Sequence, residues 1–253
     1  MATRAKPKSK RSKQAAQPKR SPSAKKKAAR AKPKSAARPK GKPKGNAMKR
    51  QSPIEVNILI HEPIKPVPCG ERYENPVFEA LASVGLGGPG DGAGSLCSKE
   101  GEVEEVDFDV ELTSLDGIPV IIKTLEDRGA PKGSVVRYEH DGKDVEVLFG
   151  VSEGVAVYLD GVNQPKEVYA STSAEELLDK LMAALDGAAE FRGSWQGPRE
   201  TSLYFYGEDA EHIFERVEPV LREYPLSRNA RVIIRHGSKA NRPRKLTLGT
   251  LSP

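Results

Sequence analysis

Three groups of residues have types and spacings that invite a chemical reading. The run Gly85-Leu-Gly-Gly-Pro-Gly90 matches the phosphate-binding pattern G-x-G-x-x-G letter by letter. That pattern works only after a strand and before a helix, where a phosphate meets the helix N-terminus. Here a helical stretch precedes it and more glycines follow, so Gly85 to Gly94, with six glycines in ten residues, reads as a loop. The carboxylates Glu102, Glu104, Glu105, Asp107, Asp109 and Glu111 form the second group. A hard cation needs them to converge, but strand alternation strings Asp107, Asp109 and Glu111 along ~14 Å, and no Asp-x-Asp-x-Asp-Gly loop surrounds them. They read as a solvent-facing acidic strand whose Asp107, Asp109 and Glu111 suit a basic protein partner. The third group is His61, His140, His212 and His236, which share no Ser-His-Asp, Cys-His or H-E-x-x-H spacing with other residues. Cys69 and Cys97 stand far apart without a C-x-x-C, so neither zinc nor a disulfide framework is indicated. No catalytic residue, metal or cofactor is assigned.

The charges are segregated along the chain. Residues 1–50 hold 20 Lys+Arg and no acidic residue, Pro53 to Ser227 hold 14 basic against 35 acidic, and seven basic residues with no acid follow from Arg228. The formal net charge of +6 therefore belongs to no single domain. Residues 1–52 contain no Val, Ile, Leu, Phe, Tyr or Trp and are interrupted by six prolines. Such a segment has nothing to bury against an ordering cost of roughly 1–2 kcal/mol per residue, and disorder is expected. Its cations are set among Ala, Pro and Ser: Lys6, Lys8, Lys10, Arg11, Lys13, Lys19, Arg20, Lys25, Lys26, Lys27, Arg30, Lys32, Lys34, Arg38, Lys40, Lys42 and Lys44. They suit neutralisation of nucleic-acid phosphates, with counterion release and no reading of bases. No apolar run is long enough to span a membrane, and no secretory h-region follows the N-terminus. A cytoplasmic or nucleoid-associated location is expected, nuclear in a eukaryote.

Behind these groups lie elements that must place them. Ile54 to Ile60 reads as a strand. Asn75-Pro76 opens a helix with Phe78, Leu81 and Val84 on one face, ended by Gly85. Val103 to Thr113 alternates, with Val106, Phe108, Val110 and Leu112 inward. A helix over Ser114 to Arg128 follows, then a hairpin of Ser134 to His140 and Val145 to Phe149 around Asp141-Gly142. Gly154 to Leu159 is a further strand, and Ser173 with Glu176 caps a helix over Ala174 to Leu185. Phe191 to Trp195 and Thr201 to Tyr206 form a second hairpin, whose Trp195, Tyr204, Phe205 and Tyr206 read as core and sheet pairing and not as a base-stacking platform. A helix from Asp209 to about Tyr224, containing Pro219, leads to a closing strand, Arg231 to Arg235. The fold class is α+β, with helices on one face of a largely antiparallel sheet, two ferredoxin-like halves being one arrangement of these elements, and a long disordered basic N-terminal tail. The expected division is a tail to residue 52, an acidic domain over 53–187, a smaller hairpin–helix–strand unit over 188–237, and a loose basic C-terminus over 238–253.

The tail resembles the Lys/Ala/Pro tails of linker histones and of bacterial histone-like proteins. The pieces Leu203-Tyr-Phe-Tyr-Gly-Glu-Asp-Ala210, Val217-Glu-Pro-Val-Leu221, Tyr224-Pro-Leu226 and Gly129-Ala-Pro-Lys-Gly-Ser134 are similar to pieces of uncharacterised bacterial α+β proteins, some of the immunity type. The resemblance implies a body that acts by binding another protein and transfers no catalytic residue. The expectation is a non-enzymatic binding protein with a nucleic-acid-binding arm and an acidic body; the alternative is a small enzyme with its site near Gly85–Gly94.

Overall fold

The computed structural model describes residues 52–237 and 243–248. The basic tail, its seventeen candidate cations and its expected disorder lie outside the described residues. Strand β1 (Ile54–Ile60) buries Val56, Ile58 and Ile60 on one face. It is followed by a helical path made of α1 (Pro66–Cys69), one π-helical stretch (Gly70–Glu74) and α2 (Asn75–Val84). The helix therefore begins nine residues before the Asn75-Pro76 pair, and the Asn75 side chain does not cap it. Its buried stripe is Tyr73, Val77 and Leu81, one every four residues, while Val84 is exposed. Gly85 ends it at φ 70°, in the left-handed region that glycine enters without strain.

Strands β2 (Gly87–Cys97) and β3 (Val103–Leu112) come next, then α3 (Gly117–Asp127), β4 (Ser134–His140) and β5 (Lys143–Phe149). Asp141 and Gly142 both take positive φ, the type I′ geometry that matches strand twist. The sheet order is β2-β3-β1-β4-β5, antiparallel throughout.

The same plan then recurs. Strand β6 (Glu153–Asp160) is followed by α4 (Lys166–Ser171) and α5 (Ala174–Leu185), then β7 (Ala189–Gln196) and β8 (Glu200–Gly207). Helix α6 (Ala210–Glu223), β9 (Arg231–Arg235) and β10 (Arg244–Thr247) complete it. The order β10-β9-β6-β8-β7 repeats the first sheet's arrangement strand for strand. Ser173 Oγ accepts from the Glu176 N–H at 3.0 Å, and Asp209 Oδ1 from the His212 N–H at 3.0 Å, so both expected helix starts are capped. Each half has its own core. In one, α2 and α3 bring Leu81, Ile121 and Leu125 onto Ile58, Phe108 and Val136; in the other, α5 and α6 bring Leu181, Ile213 and Val217 onto Val157, Phe205 and Val232.

Three expectations change. The division between the two sheets falls at Gly150–Ser152 and not at 187/188, because β6 is the central strand of the second sheet, paired with β8 and β9. The C-terminal stretch is not wholly loose: β10 pairs with β9, and Leu248 is buried in the second core. The glycine-rich stretch is not a loop but the edge strand β2. Its glycines are what allow it to pair. A Cβ at Gly87 would strike the Glu111 carbonyl, one at Gly90 would lie 2.9 Å from Asp109 backbone carbon, and one at Gly92 would strike the Asp109 carboxylate. The register slips between Pro89 and Ala93, and a bulge at a sheet edge is where a strand proline is tolerated.

Close approach at one glycine and open space at the next give a direct check. Gly87→Ala should destabilise by about 1–3 kcal/mol, whereas Gly88→Ala, whose Cβ meets nothing within 4 Å, should leave Tm within a degree or so of the parent. Calorimetric melting of the two variants separates the strand from a loop, in which both changes would be equally mild.

Candidate interaction surface

Strand alternation gives the first sheet an inner face packed on α2 and α3 and an outer face turned away from them. The register places Glu55, Glu105, Asp107, Asp109, Glu111, Glu139, Asp144 and Glu146 on that outer face. Arg137 is the one Lys or Arg there among the described residues, and it donates to Glu146 at 2.9 Å. Asp107 and Asp109 are half-buried and Glu111 is exposed. Asn57, directly opposite Asp109, lies between the two aspartates: its Nδ2 donates to Asp109 Oδ1 at 2.8 Å and to Asp107 Oδ2 at 3.3 Å. One amide thus offsets part of the repulsion between two carboxylates two residues apart. A groove of about 560 Å³ crosses the face from Asp109 over Glu55 and Asn57 to Glu139, Asp144 and Glu146.

The predicted trio is therefore brought together on one strand, as expected, and joined by carboxylates that the reading of β3 alone missed. Their signal was present: Glu55 alternates with Ile54 and Val56, and Glu139, Asp144 and Glu146 occupy the outward positions of a hairpin. Among the described residues no group of three or more His, Cys, Asp or Glu side chains is placed to hold a metal ion.

The second sheet's outer face is different. It carries Tyr158, Tyr204, Tyr206 and Ile233, all buried, with Trp195 beside them. Groups from one end of the first half cover it. Glu102 Oε1 accepts from Tyr158 and Tyr204 hydroxyls, both at 2.6 Å. Glu62, 1% exposed, accepts from the Tyr73 hydroxyl and from Arg192 Nη1 at 3.2 Å. Arg192 also reaches the Gly129 carbonyl at 2.9 Å and stacks over the Tyr206 ring. Burial pushes the Tyr158, Tyr204 and Tyr206 hydroxyls well above their usual range, so they stay donors. The aromatic residues are core and sheet pairing, as expected.

The histidines stay apart. His61 faces Glu105 at 2.8 Å, His140 is exposed beside Asp141, and His212 accepts from Arg216 on its own helix. His236 lies 3.0 Å from Glu153 and 3.3 Å from Glu211. Cys69 is buried, with its thiol pushed up by burial and by Glu74, and Cys97 is exposed; both are free. Among the described residues no helix is long and apolar enough to cross a membrane.

No protein-family model matches the chain, and no curated protein matches it. Among solved structures, it is similar to an unknown protein from Galdieria sulphuraria, with 12% identity over 73% of this chain and 97% of that one and a TM-score of 0.24. It is similar to the regulatory subunit of aspartate kinase from Thermus flavus, with 17% identity over 67% and 94% and a TM-score of 0.22. An anthrone oxidase-like protein shares 11% identity over 80% and 96%, with a TM-score of 0.23. At these values the likenesses carry no functional argument.

One polar junction ties the halves through β6. Glu153 accepts from Lys132 Nζ at 2.8 Å and from the Ala210 N–H at 3.0 Å, at the start of α6. Burial opposes its ionisation, but the Ala210 N–H, Lys132 and His236 outweigh that and hold the carboxyl below its usual range. A carboxyl depressed on folding stabilises the protein above the range where it titrates in the unfolded chain, and this contribution is lost as pH falls through the folded-state value. Glu153→Gln should lower Tm at pH 7 by about 2–4 °C, and melting across pH should show the gap closing as pH falls below the usual carboxylate range. A gap that persists undiminished in acid would contradict this assignment.

Proposed function

We propose that the chain is a non-enzymatic binding protein in which the basic arm contacts nucleic acid without sequence specificity and the acidic outer face of the first sheet docks a basic segment of a partner protein. The observation that supports the docking reading is the eight carboxylates set against Arg137 on one face crossed by a groove. Like charges gathered on a strand repel, and a basic partner relieves that repulsion while the field of the face steers its approach. The arm reading rests on composition, 20 cations and no acid in residues 1–50. The stretch named for an enzymatic alternative pairs as β2 along β3, which leaves that alternative without the loop it was built on.

Two measurements test the two parts. The full chain should bind mixed-sequence duplex DNA with an affinity that falls steeply with salt, at a log–log slope of about −0.9 per phosphate neutralised, and a chain lacking residues 1–50 should bind far more weakly. Equal binding by both would sink the arm reading. For the face, Asp107→Asn, Asp109→Asn and Glu111→Gln together should leave the fold intact, because none of the three is a core residue. The same change should slow association with a Lys/Arg-rich peptide several-fold at low salt, since complementary charge acts first on encounter. An unchanged association rate in stopped-flow would remove the face from the argument.

A further inference from the structure

The second sheet's cover is incomplete at one row. Across β9, β6 and β8, Arg235 lies opposite Gly154, and Gly154 opposite Tyr206. In the neighbouring row the central position is Ala156, and in the next Tyr158. Gly154 has no side chain, and the Tyr206 ring leans into the space its Cβ would take, 2.8 Å away, which leaves a hollow on the Arg235 side of the row. The hollow opens into a cavity of about 250 Å³, walled by Pro131–Gly133 of the first half, by His61 and by Pro243. Glycine fixes its rim: a Cβ at Gly133 would strike the Gly237 carbonyl, and one at Gly237 the Lys132 carbonyl.

Most of the basic groups around it are held by carboxylates. Lys132 is held by Glu153 at 2.8 Å, His236 by Glu153 and Glu211, and His61 by Glu105 at 2.8 Å. The other two arginines on this sheet face are engaged as well, Arg192 by Glu62 and Glu190, and Arg231 by Glu200 at 2.7 Å. Arg235 is mostly covered and lines the cavity; Glu102 and the Tyr206, Tyr158 and Tyr204 hydroxyls favour its charge through space, but it makes no hydrogen bond or ion pair with any described residue. A covered guanidinium gives up hydration that a partner normally replaces. Its fork of N–H donors fits a planar carboxylate in bidentate fashion. Tyr206, Pro131 and Pro243 offer apolar walls, and at ~30 Å³ per water-sized group the space takes about eight such groups. Glu104, also on the wall, disfavours a polyanion.

We propose that this cavity is a binding site for a small monocarboxylate with a compact apolar body, anchored by Arg235. This is separate from both surfaces assigned above, since it uses neither the arm nor the first sheet's outer face. Benzoate is a suitable probe and benzamide its neutral isostere. Isothermal titration of the full chain, at fixed ionic strength, should show saturable benzoate binding and at least tenfold weaker benzamide binding. Arg235→Gln should weaken benzoate at least tenfold, and Arg235→Lys, which keeps charge but loses the fork, several-fold. Because these variants retain the basic arm, charge-driven association with the arm would survive in them. Benzoate binding that is absent in the parent, equal to benzamide, or unchanged in Arg235→Gln would overturn the proposal. Should Arg235→Gln fail to fold, the comparison of benzoate with benzamide on the unmodified chain decides alone.

Discussion

A sheet with apolar residues on both faces needs cover on both, and the second sheet of this chain is built that way. Its inner face meets α5 and α6, while its outer face, with Tyr158, Tyr204, Tyr206 and Ile233, must be sealed by the other half. The sealing groups are polar, and each meets an aromatic hydroxyl or a guanidinium: Glu102 two tyrosines, Glu62 a tyrosine and Arg192. Burial pushes the Glu62 carboxyl pKa up, with Arg192 and Tyr73 opposing the shift, and Glu62 Oε1 has no hydrogen-bond partner among the described residues. Such a buried pair adds little net stability, yet losing one member leaves the other uncompensated at a cost of about 3–5 kcal/mol. Its role is positional. Arg192 holds the segment after β1, the π-helical turn and the loop after α3 on the second sheet through Glu62, Tyr73 and the Gly129 carbonyl, and Glu102 does the same for the β2–β3 connection.

That constraint explains why two halves of identical strand order expose such different outer faces. The end of the first half covers the second sheet, whereas the first sheet's own outer face buries Leu59 and Val135 at one end and is acidic over the rest. The glycines of β2 belong to the same logic. A strand that runs beside Asp107 and Asp109 must leave room for their carboxylates, and Gly92 and Gly94 are where a Cβ would meet them. Sequence composition that looks like a flexible loop is, in this setting, the steric complement of an acidic strand.

Much of this was legible in the sequence, and where it was not the reason is physical. Alternation found β3 and its inward residues, the Asp141-Gly142 pair found the hairpin, and Ser173 and Asp209 found two helix starts, because each signal is local. The class, α+β with antiparallel sheets and helices on one face of each, followed from them. Strand β2 was missed because its identity lies in the partner strand's side chains and not in its own propensity. The boundary at 187/188 was misplaced because the hairpin of β7 and β8 looks like a fresh start, while the pairing of β6 with β8 and β9 is a long-range fact. Of the acidic face, the trio on β3 was visible and the contributions of β1, β4 and β5 were not joined to it, since register across strands is not written in any one of them.

Arg235, a mostly covered guanidinium without an ion pair among the described residues, owes its place to the strand beside it. Side chains fill the seam wherever the central strand offers one, as Tyr158 does beneath Arg231, whose guanidinium stacks on its ring 3.8 Å from the centroid. At Gly154 the central strand offers none, and Arg235 neither stacks on a ring nor pairs with a carboxylate of the described residues, although Tyr206 and Glu104 line the same cavity. Filling that position would collide with Tyr206, the ring on which Arg192 rests, and Arg192 in turn is the partner of Glu62. The glycine is therefore tied to the contact that sets one half on the other, and the hollow beside Arg235 is its geometric consequence.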